Sequence, residues 1–489
     1  MDQEQKDLLL FQLGPVQEFI AQAEKIGDLR VGSELLSELT AAALEVIPDY
    51  ETESVFPAVK KRELKGIPNR FLVYVPHGKG EELAKCASEA AQKKLTAIAE
   101  ECWKKLTHVP GTRYNDYLAQ VKAFLQTTWA VLKNPSGNMG ADYKTIGKLM
   151  AMRRNTRQFE AWHEENPAAI KDFLSGKESA LDVADNRAPN KNSGRGAMNL
   201  IKTARTTQND LDVATGLGKY IAVIAMDGDH MGGKLSSFAT QDQHRRFSEK
   251  LADFARQVEI NSEDGILIYA GGDDVLAVVK ATRAIAVARE LARKFKGTVN
   301  EHGVTASAGI AIGSCKAPLQ DLIHEARAAE TIYRYFEAKE TTESLQDLIH
   351  EARAAESRAK HVYERNALAV SVLKRSGEIL KWGCKWDSAA FDIYNRLTEQ
   401  SGKLSRFAYK LAGFLEPYAL KKGDLDESND MRKVVLEETL HTLKQTEGAG
   451  EVLTKGCLEA YLKEQSVKDH PEDFLGLFMC EAFINRPRD

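Results

Sequence analysis

Cysteine is scarce in this 489-residue chain, and its cysteines are not arranged as metal ligands usually are. There are six of them, far apart in the sequence: Cys86, Cys102, Cys315, Cys384, Cys457 and Cys480. A Cys-x-x-Cys pair is missing, which argues against a zinc knuckle. We therefore expect reduced thiols in a cytoplasmic protein.

Long apolar runs and a strong charge imbalance are also missing. No run approaches the roughly 18 uninterrupted apolar residues of a membrane span. The start, MDQEQKDLLLF, is too acidic and too short for a signal peptide. The net charge of -4 neither indicates nor excludes nucleic acid, because a local basic patch matters more than the total. With 43% hydrophobic and 28% charged residues, the chain can bury large cores, and its length allows roughly three domains.

The first part of the chain is predicted to be an α+β unit followed by helices. Strands are expected at 7–13, 54–60 and 70–76. Residues 14–26 read as a turn plus an amphipathic helix, and further helices are expected at 33–47 and 80–107. From 115 to about 175 the pattern predicts helices throughout, and 176–215, where periodicity is lost, predicts a linker or long loop.

This linker carries five basic residues with no acidic residue among them: Arg187, Lys191, Arg195, Lys202 and Arg205. Such a run fits a solvated loop or a loop that contacts phosphates. The sequence leaves both readings open.

A second α+β unit begins at Tyr220. Its expected strands are 220–227, 266–270, 275–279 and 303–313, with helices at 234–258 and 281–296. Sequential antiparallel strands with helices between them predict a ferredoxin-like sheet with helices on one face. From about 385 to the end the pattern is again helical.

The segment LQDLIHEARAAE occurs twice without a change, at 319–330 and 345–356. In one continuous helix, at about 100° per residue, this offset leaves the copies rotated by roughly 80°. The copies would then lie on different faces, so we expect one of them to be displaced or looped out.

The run 266–280, ILIYAGGDDVLAVVK, places two adjacent carboxylates between apolar strands. Adjacent residues of a regular strand point to opposite faces, so Asp273 and Asp274 converge only if the strand is interrupted there. Gly271 and Gly272 permit such an interruption. By itself the motif is a weak signal, because hairpins often carry Asp-Gly or Asn-Gly simply as turn chemistry.

A second acidic motif, Asp227-Gly228-Asp229, ends the buried run IAVIAM. Asp229 has a structural alternative as the N-cap of the following helix. Asp227 has none, because a carboxylate there needs a cation or a donor to offset its desolvation. In a ferredoxin-like sheet this strand can lie beside the central hairpin, so that Asp227 faces Asp273 and Asp274.

Three carboxylates at that separation repel one another unless divalent ions lie between them. Two such ions can activate an attacking hydroxyl and stabilise a leaving pyrophosphate. The amides at the helix start are placed to hold a triphosphate: His230, Met231 and Gly232. The sequence therefore predicts a metal-dependent nucleotidyl-transfer site.

These two motifs, together with GPVQEFIAQAEKIGDLRVGSELLS near the N-terminus, resemble the Cas10 family, the large subunits of type III CRISPR effectors. The Cmr2 branch, of type III-B, is the most similar. The resemblance implies an α+β protein with two ferredoxin-like palm domains (nucleotide cyclase or GGDEF-like), each followed by a helical module. Residues 1–112 would form the first, degenerate palm, 113–214 a helical insert and linker, 215–384 the second palm with GGDD, and 385–489 a C-terminal helical domain.

The resemblance also assigns roles to residues. Asp227 and Asp273 match the family's ligands for Mg²⁺ or Mn²⁺, with Asp274 and Gly228 beside them. The segment 352–370 resembles the nucleotide-contacting helix, which makes Lys360 the expected phosphate contact and Lys339 its rival. Further nucleotide-binding candidates are Gly271, Gly272, Ser307, Arg365 and Asn366, although packing explains Ser307 equally well. Candidates for contacting a second nucleotide between the palms are Gln17, Gly32 and Ser33.

Three features depart from the family. The sequence contains no His-Asp dipeptide, so no HD nuclease is expected. The cysteine-rich zinc site is missing, because Cys86 and Cys102 have no nearby cysteine partners. The inserted segment 331–356 leaves the docking of the last palm helix open.

The function implied is antiviral defence, in which ATP is converted to a cyclic oligoadenylate messenger when the complex recognises target RNA. The implied partners are other Cmr subunits, CRISPR RNA and target RNA, in the cytoplasm and without a membrane. Two alternatives remain: transfer of AMP to a different small acceptor, and a non-catalytic RNA-binding scaffold. A diguanylate cyclase is not favoured, because Asp-Asp-Val follows the glycines where Asp/Glu-Glu-Phe is expected.

Overall fold

The computed structural model contains two β-sheets and many helices. It describes residues 5–23, 25–58, 66–106, 114–156, 170–181, 194–207, 216–218, 220–301, 303–314, 345–400, 404–446 and 452–485. The strands are β1 (Lys6–Gly14), β2 (Ser54–Phe56), β3 (Arg70–Pro76), β4 (Gln126–Leu132), β5 (Tyr220–Gly228), β6 (Gly265–Gly271), β7 (Asp274–Lys280), β8 (Ala306–Ser314), β9 (Ala367–Leu373) and β10 (Ile379–Lys385).

The helices surround these sheets in chain order. They are α1 (Gln17–Ala21), α2 (Ile26–Glu45), α3 (Tyr50–Glu53), α4 (Gly80–Lys105), α5 (Tyr114–Phe124), α6 (Met139–Asn155), α7 (Ala197–Arg205), α8 (Met231–Ser237), α9 (Gln241–Gln257), α10 (Ala284–Val299), α11 (Leu345–His361), α12 (Ala390–Thr398), α13 (Ser405–Leu415), α14 (Asp430–Lys444), α15 (Lys455–Leu462), α16 (Gln465–Asp469) and α17 (Glu472–Asn485). Short 3₁₀ turns lie at Ala281–Arg283 and Glu416–Tyr418.

The first sheet has the strand order β2-β3-β1-β4, with β1 antiparallel to both β3 and β4. This is a ferredoxin-like order, as expected for a palm. Helices α2 and α4 pack on one face, and α6 covers the other through Met139, Ile146 and Met150.

Strand β4 corrects the prediction of helices throughout 115–175. Its QTTWAVL sequence is rich in β-branched and aromatic residues, and it pairs along β1, with Trp129 opposite Phe11. The helical periodicity of 114–124 hid this change of structure. Residues 170–175 are also not helical, because Lys171 and Asp172 form isolated β-bridges.

Helix α7 corrects the prediction of a structureless linker across 176–215. Its Met198, Leu200 and Ile201 are buried in the first core. Arg195 is buried as well, and Arg205 is ion-paired with Glu38. Neither the solvated loop nor the phosphate loop describes these basic residues, and Arg187 and Lys191 lie outside the described residues.

Lys202, on α7, is buried and links α7 to α1, so it is not placed to bind phosphate. Its Nζ donates to the backbone oxygens of Phe19 and Gln22, at the end of α1. Burial lowers the pKa of Lys202 to about 7. Gly32 allows this packing, because a Cβ there would lie 3.1 Å from Lys202 Cε. The N-terminal helices also differ from prediction, since α1 is short and α2 begins at Ile26 rather than at residue 33.

The second sheet has the order β10-β9-β8-β5-β7-β6. Four adjacent strands, β8-β5-β7-β6, repeat the ferredoxin-like order of the first sheet. Strand β9 runs parallel to β8, and β10 pairs antiparallel with β9. The expected helix across 352–370 ends at His361, because three successive residues adopt left-handed φ angles of 53°, 65° and 48°: Glu364, Arg365 and Asn366.

Helices cover both faces of this sheet, not one face as predicted. Ala222, Ile224 and Met226 of β5 pack in a core with α9 and α10. The alternate residues Ile221, Val223 and Ala225 pack against α11 and the start of α2. Asp227 continues this second set, so it lies on the face that α11 covers.

Helix α11 contains the second copy of the repeated segment and packs directly on β8. A Cβ at Gly309 would lie 2.0 Å from the Glu356 nitrogen and 2.2 Å from the Ala352 oxygen. A glycine in the middle of a strand is often the mark of such a close approach. The first copy, at 319–330, lies outside the described residues.

The C-terminal part is helical, as predicted, and packs on β9 and β10 around the buried Trp382. The expected helix 234–258 is divided into α8 and α9, since Thr240 and Gln243 form a capping box at the start of α9. None of the helices in the described ranges combines the length and the apolarity that crossing a membrane requires.

Candidate functional site

The acidic motifs meet at one edge of the second sheet. Strands β5 and β7 are antiparallel neighbours, with Met226 opposite Val275, so the end of β5 reaches the tip of the β6–β7 hairpin. The Asp273 side chain lies against Gly228, where an added Cβ would come within 2.8 Å of Asp273 Oδ2. Glycine at position 228 therefore makes room for the Asp273 carboxylate.

The two hairpin glycines have different physical roles. Gly272 adopts a φ of +68°, which favours glycine, and it interrupts the strand as predicted. Gly271 has no room for a side chain, because a Cβ there would lie 2.0 Å from the Tyr269 hydroxyl. Asp273 lies in the turn between the strands, and Asp274 is the first residue of β7.

Lys360 lies in the last turn of α11 and forms an ion pair with Asp227. Its Nζ is also 3.0 Å from Glu356 Oε1, one turn earlier in the helix. The side chains of Lys360 and Glu356 are 14% and 11% exposed, whereas that of Asp227 is 35% exposed. The rival, Lys339, lies outside the described residues.

Arg353 and Glu356 belong to the site although the sequence analysis did not identify them. Arg353 holds Asp274 with both terminal nitrogens, at 3.0 Å (Nη1 to Oδ1) and 3.3 Å (Nη2 to Oδ2). It also lies 3.4 Å from Glu356 Oε2. The spacing 353, 356, 360 places these residues and Lys360 on one helix face, which is the signal that could have found them.

Negative charge exceeds positive charge in this cluster, with four carboxylates against two cations. Burial raises the pKa of Asp273, and the neighbouring Asp227 and Asp274 raise it further. Burial also raises the pKa values of Asp274 and Glu356, against the opposing effects of the two cations. The pKa of Lys360 is raised, because its ion pairs outweigh the effect of its own burial. A further cation would be bound favourably here.

The donor set fits a divalent ion held jointly by protein and substrate. Among the described residues, no three metal-ligating side chains lie close enough to hold an ion by themselves. Mg²⁺ is commonly bound by one or two carboxylates together with substrate phosphates. Asp227 and Asp273 supply such carboxylates, whereas Asp274 is engaged by Arg353.

Asp229 is not the N-cap of the following helix. His230 takes that position, with a φ of 58°, and α8 is only 7 residues long. Asp229 is fully buried and accepts hydrogen bonds from the Thr305 and Ser307 hydroxyls and from the Asn366 amide. It thereby joins β5 to β8 and to the left-handed turn after α11.

The other predicted residues lie at varying distances from this centre. Met231 is beside Gly228, since its Cγ would be 2.9 Å from a Cβ there, and Gly232 follows it in α8. Arg365 lies in the left-handed turn, where its amide donates to Ala359 at 3.1 Å. Gln17, at the start of α1, is exposed to solvent.

A cavity of about 900 Å³ lies between the two palms. It extends from Gly272 of the hairpin to Ser33 on α2, with Arg30 and Arg256 on its walls. Ser33 and Gly272 thus border one space, and the assignment of a second nucleotide to it stays a prediction. Neither Gln17 nor Gly32 lines this cavity.

Comparison with known families agrees with this architecture. Residues 8–100 match the model of the CRISPR-associated protein Cmr2 N-terminal domain, and residues 220–342 match that of the Cas10/Cmr2 second palm domain. Two segments of the chain therefore match domain models of the Cas10/Cmr2 family. The resemblance found from the sequence motifs is confirmed.

Known proteins with similar sequence or fold support the same grouping. The CRISPR system Cmr subunit Cmr2 of Pyrococcus furiosus is 26% identical over 296 residues, which cover 50% of this chain and 31% of that relative. The crystal structure of a Csm1-Csm4 cassette with cA4 has a TM-score of 0.55 at 11% identity. The apo cassette scores 0.54 at 12%, and the cassette with one ATP scores 0.51 at 13%. Each covers 99% of this chain and 70% of that structure's chain, and at these identities the likeness shows the fold alone.

Proposed function

We propose that this chain is the nucleotidyl-transferring subunit of a type III CRISPR effector complex and joins ATP molecules into cyclic oligoadenylate. The observation that carries the proposal is the convergence of Asp227 and Asp273 beside Lys360, next to a cavity between the palms. Carboxylates brought this close repel one another, and groups whose pKa values are shifted in this way cluster at functional sites.

Similar folds support the choice of substrate. The Csm1-Csm4 cassette has been crystallised with one ATP, with pppApA and with cA4. These ligands represent a substrate, a linear intermediate and a cyclic product of adenylate condensation. The same chemistry is proposed for this chain because it has the same fold and its own acidic cluster.

The side chains of α11 would position the donor ATP. Lys360 neutralises Asp227 in the structure, and its three N–H groups can turn to the triphosphate when the nucleotide enters. Arg353 holds Asp274 in a fixed orientation through its two hydrogen bonds. A divalent ion, Mg²⁺ or Mn²⁺, held by Asp227 and Asp273 would activate the acceptor hydroxyl and neutralise the leaving pyrophosphate. The amides of residues 230–232 and the turn with Arg365 and Asn366 would complete the phosphate surroundings.

The cavity between the palms would hold the acceptor nucleotide. Ser33 lies on its α2 wall and Gly272 on its hairpin wall, so an acceptor there is adjacent to the acidic cluster. Orientation of two nucleotides in one space is the main catalytic requirement, since it replaces an encounter in solution.

The proposed context is a ribonucleoprotein with other Cmr subunits, CRISPR RNA and target RNA. The helical domain after β10 and the surfaces of the palms would provide the contacts. Target RNA would control the activity, as the type III resemblance implies.

The deciding experiment is mass spectrometry of the products formed by the assembled complex with ATP, Mg²⁺ or Mn²⁺ and cognate RNA. We expect cyclic oligoadenylates from the unchanged protein and none from Asp273→Ala combined with Asp274→Ala. A control pair of the same chemistry, Asp242→Ala with Asp430→Ala, removes exposed carboxylates outside the site and should leave the products unchanged.

Two results would overturn the proposal. Adenylylated products that appear only with an added small acceptor would support AMP transfer instead. Unchanged products from an assembled complex that carries Asp273→Ala with Asp274→Ala would support an RNA-binding scaffold. An assembled complex that gives no product with either the unchanged or the substituted protein would support it too.

A further inference from the structure

A second cavity, of about 610 Å³, is lined by residues of the second palm and of the segment after β10. Helix α10 forms one wall, and the rest of the lining comes from residues 300, 301, 304–306, 366, 386 and 387. It shares no lining residue with the cavity between the palms, and none of the catalytic aspartates borders it.

The α10 wall of this cavity is basic. Arg289, Arg293 and Lys296 follow one another at helical spacing and all line the cavity. Within the described ranges, none of the three has a carboxylate at ion-pair distance, and Arg293 and Lys296 are exposed. The positive charge on this wall is therefore available to a ligand.

Two acidic residues also border the cavity, but they do not cancel this charge. Glu301 is already neutralised by Lys250 at 2.6 Å and by Lys234 at 3.0 Å. Asp387 is exposed to solvent, where it is well screened. The α10 wall of the cavity therefore remains positively charged.

The opposite wall presents a fixed aromatic ring. Trp386 donates its indole N–H to the Ala306 oxygen at 2.8 Å and stacks on Phe391 at 6.1 Å between centroids, with the planes 6° apart. Arg289 lies over the same Phe391 ring, 4.0 Å from its centroid. These contacts hold Trp386 in one orientation, half-buried, with its ring bordering the cavity.

We propose that this second cavity binds a nucleotide unit, with the phosphate on Arg293 and Lys296 and the base against Trp386. The unit is either part of a single-stranded RNA or a free adenine nucleotide, since both offer the same phosphate and base. Basic side chains beside an aromatic surface are the usual means of holding single-stranded nucleic acid. None of the carboxylates of the acidic cluster lines this site, although Asn366 also belongs to the turn proposed to surround the donor phosphates.

The test is binding of a fluorescein-labelled, uridine-rich single-stranded RNA to the full chain, measured by anisotropy over a range of salt concentrations. Arg293→Glu combined with Lys296→Glu should weaken binding at least tenfold. The slope of log affinity against log salt concentration should become shallower by about 0.7 for each phosphate that the variant no longer neutralises. The matched control is Arg246→Glu with Lys294→Glu, which makes the same charge change on α9 and α10 outside the cavity. The control should bind within about twofold of the unchanged protein, as expected when no phosphate-binding side chain is removed.

Competing AMP distinguishes the two sources of the nucleotide. The Asp273→Ala, Asp274→Ala background removes metal-dependent binding at the acidic cluster, and the crosslinked residue identifies the cavity that is occupied. AMP that displaces the RNA and crosslinks to Trp386 through an azido-adenine analogue indicates a mononucleotide site. RNA containing 4-thiouridine that crosslinks to Trp386 while AMP fails to compete indicates a single-strand site.

Either crosslink supports the proposal. The proposal is overturned if the cavity pair and the control pair weaken RNA binding equally, or if the cavity pair binds both RNA and AMP as the unchanged protein does. Thermal unfolding of each variant confirms that the comparison is between folded proteins.

Discussion

Lys360 and Asp227 lie 133 residues apart in the chain and form an ion pair at the edge of the second sheet. The pairing follows from the alternation of β5, because Asp227 lies on the sheet face that α11 covers. The close packing of α11 on Gly309 brings Lys360 within reach. Lys360 therefore pairs with the Asp227 carboxylate, which the proposed reaction needs as a ligand for a divalent ion.

Replacement of Lys360 by methionine tests this exchange. The variant leaves Asp227, Asp273 and Glu356 without their shared cation, so we expect the free energy of unfolding to fall by about 1–3 kcal/mol. A divalent ion should then raise the melting temperature of the variant more than that of the unchanged protein, because it no longer competes with Lys360.

Calorimetry with and without Mn²⁺ measures both effects. The control is Lys374→Met, which removes a lysine that is also 14% exposed and is paired with Glu378 across the β9–β10 hairpin, outside the site. If Mn²⁺ raises the melting temperatures of Lys360→Met and of the unchanged protein equally, Asp227 is not an ion ligand.

Replacement of Gly309 by alanine tests the packing of α11. The added methyl would lie 2.0 Å from the Glu356 nitrogen, so the helix must move away from β8. We expect a loss of about 1–3 kcal/mol, typical of overpacking in a core. Product formation should fall with it, because Lys360 and Arg353 move as part of the same helix.

Gly147→Ala is the matched control, since no atom lies within 4 Å of a Cβ there. In the middle of α6 this change should stabilise by about 0.5–1 kcal/mol. Urea denaturation of both variants gives the two values. An unchanged midpoint for Gly309→Ala would contradict the close contact.

The Arg353–Asp274 pair predicts non-additive substitutions. Arg353→Met leaves Asp274 unpaired, and Asp274→Asn removes the charge that Arg353 balances. Because the two groups share hydrogen bonds, a double-mutant cycle should give a coupling of about 0.5–3 kcal/mol in stability. If the losses in the free energy of unfolding are additive in urea denaturation, the two hydrogen bonds between Arg353 and Asp274 do not form in solution.

His244 predicts a stability that depends on acid. It is fully buried between Tyr143 and Phe238, and neither ring nitrogen has a hydrogen-bond partner among the described residues. Burial lowers the pKa of His244 to about 4. The unfolded chain therefore takes up a proton below about pH 6.5 that the folded chain takes up only near pH 4.

The free energy of unfolding should consequently fall between pH 6.5 and pH 4, by up to about 1.4 kcal/mol per pH unit from this residue. Above pH 6.5 His244 is neutral in both the folded and the unfolded chain, so none of this stability is lost there. Denaturation across this range, compared with His244→Phe, isolates it. An equal slope in the two proteins would show that His244 is not the responsible group.

Local sequence patterns determined the centre of the second palm. The strands β5, β6, β7 and β8 were predicted because short apolar runs bounded by glycines and aspartates specify strands and their turns. The approach of Asp227 to the GGDD hairpin could also be predicted, because the ferredoxin-like order places their strands side by side.

Other parts of the fold were decided by contacts that are distant in sequence. Strand β4 was read as helix because its neighbour α5 is helical and its own pairing partner, β1, lies more than 100 residues earlier. Helix α7 was read as a loop because its order comes from burial against α2 and α4. Helices on both faces of the second sheet likewise follow from the placement of α2 and α11.

The site divides in the same way. The sequence by itself determined which residues could bind a metal and a nucleotide, because carboxylates, glycines and apolar runs carry that chemistry locally. Only the tertiary structure decided that Arg353 and Glu356 join them, that Asp229 is a buried link, and that the space between the palms is open. The physical reason is that charge pairing and cavity shape depend on which helix face meets which strand, and that meeting is fixed by packing over the whole chain.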